Sequence, residues 1–214
     1  VTRTTSRDAR AAATQEAILT TAEQLFAEHG IANVSNRQIS EAAGQGNNAA
    51  VGYHFGTKTD LVRAIAQKHA EAITAIRERM LAEMDESADL RDWVACLVEP
   101  VAEHLDDLGD QTWYARFTAQ LSTDPALRLL VDRQTADDDS IRAVIAGIER
   151  HLPAMPPEVW RARATMMRYL LTQMNAERER AIADGAPIDR ERRATTVALV
   201  DAITGMLQAP VTAV

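Results

Sequence analysis

Apolar side chains recur three and four residues apart along nearly the whole chain, and alternating β-branched runs bounded by hairpin turns are absent. A period near 3.6 places such residues on one face of a helix, so the pattern predicts an all-α protein. In the first predicted helix Ile18, Ala22, Leu25, Phe26 and the stem of His29 share a face, and Gly30 ends it as a left-handed cap. Ser35 and Gln38 then form a capping box, in which each side chain satisfies a free backbone N–H of the next helix. That helix is short. Ile39, Ala42 and Ala43 are its apolar face and Gly44 stops it.

The stretch "GQGNNAAVGYHFG" (44–56) follows, predicting a turn and a third short helix from about Ala49 to Phe55, with Asn47 or Asn48 as its N-cap. Phe55 lies four residues after Val51, which puts both on the inward face. Thr57 and Asp60 repeat the capping logic and launch a longer helix through Leu61, Ile65, Ala72, Ile76 and Met80. The polar run "EMDESAD" (83–89) is the expected boundary beyond it. Five helices are expected after that, punctuated by Asp110, by Asp124-Pro125, by Pro156-Pro157 and by "DGAPID" (184–189). Pro100 should kink or break the first of them, because it removes the hydrogen bond to the carbonyl of Cys96.

Composition narrows the function classes. One cysteine in 214 residues forbids an internal disulfide and a Cys-rich zinc site. No apolar run is long enough for a bilayer, and the Arg-bearing start lacks the core of a signal peptide, so no membrane association and a cytoplasmic location are expected. A net charge of -8 argues against coating nucleic acid non-specifically, yet leaves room for a local basic face.

Two short helices across a glycine-bearing turn, braced by an amphipathic helix, have the layout of a helix-turn-helix. In that layout the second helix reads DNA. Ala49, Ala50 and Gly52 let its backbone approach the groove floor, Asn47 and Asn48 offer amides to base edges, and Tyr53 and His54 offer donors to phosphates. Thr57 and Lys58 add a hydroxyl and a positive charge at a helix N-terminus, and Arg37 completes the candidate DNA contacts. Arg3, Arg7 and Arg10 in the polar tail are candidate arm contacts.

Residues 14 to 66 resemble the tetracycline-repressor (TetR) family of bacterial transcriptional regulators. The resemblance is carried by "AILTTAEQLFAEHGIANVSNRQISEAAG" and "YHFGTKTDLVRAI", with the Leu-Phe-x-x-x-Gly end of a first helix, an Ile-x-x-x-Ala-Gly second helix and a Tyr-x-x-Phe-x-x-Lys-x-x-Leu type of ending. The chain departs from that pattern in a turn one residue longer before the Phe, in Gly52 where a Tyr is common, and in Asn36 where an apolar residue is usual. The resemblance implies a homodimer on a palindromic double-stranded DNA operator, a repressor rather than an activator, released by a small-molecule effector.

Beyond residue 84 the large side chains Trp93, Trp113, Phe117, Met166, Met167, Tyr169 and Met174 are candidates for the wall of an apolar ligand cavity, against the plainer reading of each as core. Ala194, Ala198, Ala202 and Gly205, flanked by Val197, Ile203 and Leu207, form a small-residue stripe that suits either packing within the chain or a two-fold dimer; the resemblance favours the dimer. The expected organisation is a helix-turn-helix DNA-binding domain (1–56), a linking helix (57–84) and a larger helical domain for ligand binding and dimerisation (85–214).

Other chemistries fit less well. His29, His69, His104 and His151 lack the spacing of a helical metal site, and Asp137, Asp138 and Asp139 in succession point around a helix rather than converging, so no metal is expected. "GQGNN" lacks the strand before it and the Lys-Ser/Thr after it that a nucleotide loop needs. No converging acid, base or nucleophile is visible: Glu103 and His104 are adjacent and face apart. The expectation is a non-enzyme with no cofactor. The alternatives are a regulator answering to a protein partner and, behind it, a helical enzyme using the C-terminal cavity.

Overall fold

The structure, a computed structural model, describes residues 2–46, 49–109 and 111–211, with backbone alone for 2–7, 134 and 188–191. Among the described residues the secondary structure is helical throughout, as expected. The α-helices are α1 (Thr2–His29), α2 (Asn36–Ala42), α3 (Ala50–Phe55), α4 (Lys58–Glu83), α5 (Leu90–Asp107), α6 (Tyr114–Thr123), α7 (Pro125–Asp137), α8 (Asp139–Arg150), α9 (Pro157–Ala183) and α10 (Ile188–Gln208), with a 3-10 turn at Ile31–Asn33.

Local chemistry sets most boundaries. Gly30 sits at φ 83°, where a side chain is strained, and its N–H donates to the carbonyl of Phe26 at 2.9 Å. Ser35 with Gln38, Thr57 with Asp60, and Asp89 with Asp92 form complete capping boxes at the starts of α2, α4 and α5. Asp124 caps α7, whose first residue is Pro125.

Four sequence expectations are corrected. The N-terminal segment that carries Arg3, Arg7 and Arg10 is helical rather than an irregular tail, because α1 continues through it to Thr2. The N-cap position of α3 is Ala49, while Asn47 and Asn48 lie outside the described residues, as does Asp110. Among the described residues six helices rather than five follow α4, because the chain breaks at Asp138, whose carboxylate accepts the N–H groups of Ser140 and Ile141 and so starts α8. Pro100 does not break α5. The Cys96 carbonyl that it leaves without a helical donor accepts instead from Nε of Arg77 on α4, at 3.2 Å.

Two buried clusters organise the molecule. The first joins Ile18, Ala22 and Phe26 of α1, Ile39 of α2, Val51 of α3 and Leu61 and Ile65 of α4, and it draws in Phe117 and Leu121 from α6. Phe117 is fully buried with its ring stacked on Phe26, centroids 6.2 Å apart. The second cluster joins α5, α8, α9 and α10 through Val94, Val98, Val144, Ile148, Met167 and Ile203. The start of α6 has no side-chain cap of its own. Glu179 on α9 supplies one by accepting the N–H groups of Ala115 (3.1 Å) and Arg116 (3.0 Å).

Candidate nucleic-acid interface and ligand cavity

Helices α2 and α3 pack on each other and on α1 through Ile39, Ala50 and Val51. This decides which face of α3 remains outside. Ala50 and Val51 are buried, Phe55 is half-buried against the same core, and Gly52 and Tyr53 are exposed, Tyr53 to 82%. Of the candidate contacts on α3, Ala50 is therefore turned inward, whereas Ala49, Gly52 and Tyr53 lie on the open face. A Cβ added at Gly52 meets nothing within 4 Å, so packing in the protein does not require glycine there. His54 is half-buried and touches Tyr53 edge-on at 5.0 Å.

Around this helix the polar candidates are already engaged. Arg37 is exposed and paired with Glu41 at 2.7 Å. Thr57 donates its hydroxyl to Asp60 at 2.6 Å, and these bonds hold the Asp60 carboxyl below the usual carboxylate range. Lys58 extends its ammonium to the Ile31 carbonyl at 2.9 Å, which fixes the charge beside the turn and leaves it other N–H donors.

The C-terminal helices enclose a cavity of about 330 Å³. Its wall is mainly aliphatic, from Leu97, Val101 and Leu105 on α5, Val131 on α7, Ile145 on α8 and Met167 on α9. Of the side chains picked from the sequence, Met167 lines it and the others do not. Phe117 and Trp113 belong to the first core, and Trp93 packs on Gly147 and half-covers the second. Met166, Tyr169 and Met174 face outward, 52%, 40% and 39% exposed. Size and flatness alone did not reveal the wall, since its residues are the branched aliphatics on the inner faces of four helices.

Polar groups reach the cavity at few points. Arg77 is 3% exposed, held by the Cys96 carbonyl, by the Ser140 hydroxyl at 3.2 Å and by Asp138 at 3.6 Å. Burial lowers its pKa and Asp138 opposes that shift. Tyr114 lies between the cavity and a buried hydrogen-bonded chain that composition did not foretell. His69 on α4 meets Glu23 of α1 through Nε2 at 2.9 Å and His104 of α5 through Nδ1 at 2.7 Å. The Glu23 carboxylate can only accept, so His69 carries a proton on Nε2, and the contact between its Nδ1 and Nε2 of His104 is completed by a proton on one of the two rings. These three groups are strung along a line through opposite ring nitrogens and do not converge on one point, which is not how a cation is held. Burial foremost, and the neighbouring His69 next, push the His104 pKa down to about 4.

The faces of α9 and α10 opposite the core carry Met166, Tyr169, Met174 and Val197, with exposed Ala194, Ala198, Ala202 and Gly205 between them. Ile203 and Leu207, expected to flank the stripe, are instead buried in the second core. No described helix is long and apolar enough to cross a membrane.

Residues 18–65 match the family model for bacterial regulatory proteins of the tetR family. The HTH-type transcriptional repressor AcnR of Corynebacterium glutamicum is 30% identical over 132 residues, 60% of this chain and 62% of that protein. AcnR of Corynebacterium efficiens is 30% identical over 136 residues, 62% and 64% of the two chains. The match therefore spans less than two thirds of these relatives' own length. Among solved structures, the TetR family transcriptional regulator PfmR from Thermus thermophilus shares the fold, with a TM-score of 0.54 at 21% identity over 90% of this chain and 99% of that one. In its helix-turn-helix with the second helix bared, set on a larger helical body, and in the match of residues 18–65 to the family model, this chain is similar to the bacterial regulatory proteins of the tetR family.

Proposed function

We propose that the protein is a sequence-specific transcriptional repressor that binds a palindromic operator as a homodimer and is released by a small molecule held in the cavity. The observation that carries this reading is the open face of α3, where Gly52 and the exposed Tyr53 stand clear of a helix otherwise packed by Ala50 and Val51. That the AcnR relatives are transcriptional repressors supports it. The exposed apolar and small side chains of α9 and α10 are the surface proposed for the dimer, which would set two α3 helices about one DNA turn apart. Arg37, Ala49, Gly52, Tyr53, His54, Thr57 and Lys58 remain the proposed contacts, together with Asn47 and Asn48.

Release would follow from differential affinity: a ligand that favours one disposition of α4 shifts the spacing of the two reading helices. Selection of bound fragments from genomic DNA, followed by footprinting and sedimentation, tests the proposal. A symmetric footprint on a dimer is expected; a monomer with no symmetric footprint overturns it. Retention of the operator with every small molecule, but release by a second protein, would instead favour the partner-responsive regulator.

A further inference from the structure

The chemistry of the cavity wall specifies the kind of molecule it takes, an inference that rests on reading the cavity as the effector site. Charge comes first. Arg77 has Asp138 at 3.6 Å, and Arg168 has Asp132 at 3.7 Å, a carboxylate that Arg128 shares at 3.9 Å, so each cation lining the cavity stands beside a carboxylate. The Asp138 carboxylate is in turn held by Thr74, by Ser140 and by the N–H groups of Ser140 and Ile141. A charged ligand would lose its hydration without gaining an unpaired counter-charge, which disfavours both carboxylates and amines.

Hydrogen bonding comes second. Asn175 on α9 is 3% exposed and lines the cavity. Its Nδ2 donates to the Leu171 carbonyl at 2.9 Å, which fixes the orientation of the amide. Oδ1 is then left buried with no donor, and among the described residues it is the one such side-chain atom belonging to a residue of this wall. The Thr118 hydroxyl nearby is directed to the Tyr114 carbonyl at 2.8 Å. A buried acceptor without a donor is unfavourable enough that native proteins rarely leave one.

We propose that the cavity binds an uncharged, largely apolar molecule bearing one hydrogen-bond donor, a hydroxyl or N–H, which bonds to Oδ1 of Asn175 while its hydrocarbon part lies against Leu97, Val101, Leu105 and Met167. The donor, and not merely an oxygen, is what the site selects.

Three probes of matched chain length separate the possibilities: 1-decanol, which carries a donor; decyl methyl ether, which carries only an acceptor; and decanoate, which is charged. Calorimetric titration of the whole protein without DNA should rank decanol about tenfold or more tighter than either of the others. Asn175→Leu, close in volume, should bind decanol and the ether alike. Equal or tighter binding of decanoate or the ether by the wild-type protein overturns the proposal, as does failure of all three to bind. Should Asn175→Leu not fold, the wild-type ranking still decides. Decanol that binds with the expected preference but leaves the protein on its operator would sink the release mechanism while leaving the donor-specific site standing.

Discussion

The ring of Tyr114 lies nearly parallel to that of His69, centroids 4.0 Å apart and planes 18° from one another. One face of Tyr114 thus belongs to the cavity while its neighbour His69 is bonded to Glu23 in the first helix. A ligand pressing on Tyr114 would act on α1 and α4 together through this contact.

Replacing His69 by Ala removes the partner of Glu23 and of His104 as well as the stacked ring. Leaving two buried polar groups unpaired should cost about 2–4 kcal/mol, read from urea unfolding. Operator affinity should change little at temperatures where the variant is folded, but effector response should fall. Unaltered effector response in a folded His69→Ala protein would show that the stack does not transmit.

Stability should depend on pH in the mildly acidic range. Unfolded, His104 takes up a proton near pH 6.5; folded, burial keeps its ring neutral until about pH 4. Between those values the unfolded chain binds more protons, so stability falls as pH drops through the window and is level above it, by roughly 3 kcal/mol at most. Burial pushes the Glu179 carboxyl the other way, to a raised pKa, and its contribution has the opposite sign. Urea midpoints of the wild type against His104→Gln from pH 7.5 to 4.5 isolate the histidine; identical slopes would refute its role.

Two glycines should answer oppositely to alanine. A Cβ on Gly147 would stand 2.1 Å from ring atoms of Trp93, so Gly147→Ala should destabilise by about 1–3 kcal/mol. Gly205 has open space around it and lies on the surface proposed for the dimer. Gly205→Ala should leave each subunit as stable or up to about 1 kcal/mol more so, yet weaken association in sedimentation. A tighter dimer would argue against close packing there.

Lys58→Ala should weaken binding to all DNA sequences alike and reduce the salt dependence by about one ion per subunit. Because its ammonium also bonds the Ile31 carbonyl, some 1 kcal/mol of stability should go with it. Gly52→Ala, by contrast, should stabilise α3 by about 0.5–1 kcal/mol and reduce operator affinity if the backbone approaches the groove closely there. An unchanged salt slope for Lys58→Ala would remove it from the phosphate contacts.

What the sequence disclosed and what it hid divide along the range of the interactions. Gly30, Ser35, Thr57 and Asp124 act on backbone within a few residues, so the ends of α1, α2, α4 and α7 could be read directly. The same short-range logic applies to α8, because the acidic triplet Asp137 to Asp139 contains its cap, Asp138. Long-range choices were not legible. Phe117 joins Phe26, far earlier in the sequence, rather than the cavity, and the cavity wall comes from aliphatic positions that carry no distinguishing mark. Likewise the buried chain of Glu23, His69 and His104 unites residues on three helices that periodicity treats separately.

Pro100 makes the carbonyl of Cys96 available to a different helix, and Arg77 takes it. An imperfection in one rod thereby becomes a rivet between two. Pro100→Ala would return an N–H to α5 and make it a better helix, but that N–H would compete with the guanidinium for the same oxygen. Secondary and tertiary order are antagonists at this joint, so α4 should gain freedom as α5 becomes more regular. The helix that begins at Lys58 owes part of its fixed position to a residue that, in isolation, weakens the segment containing it.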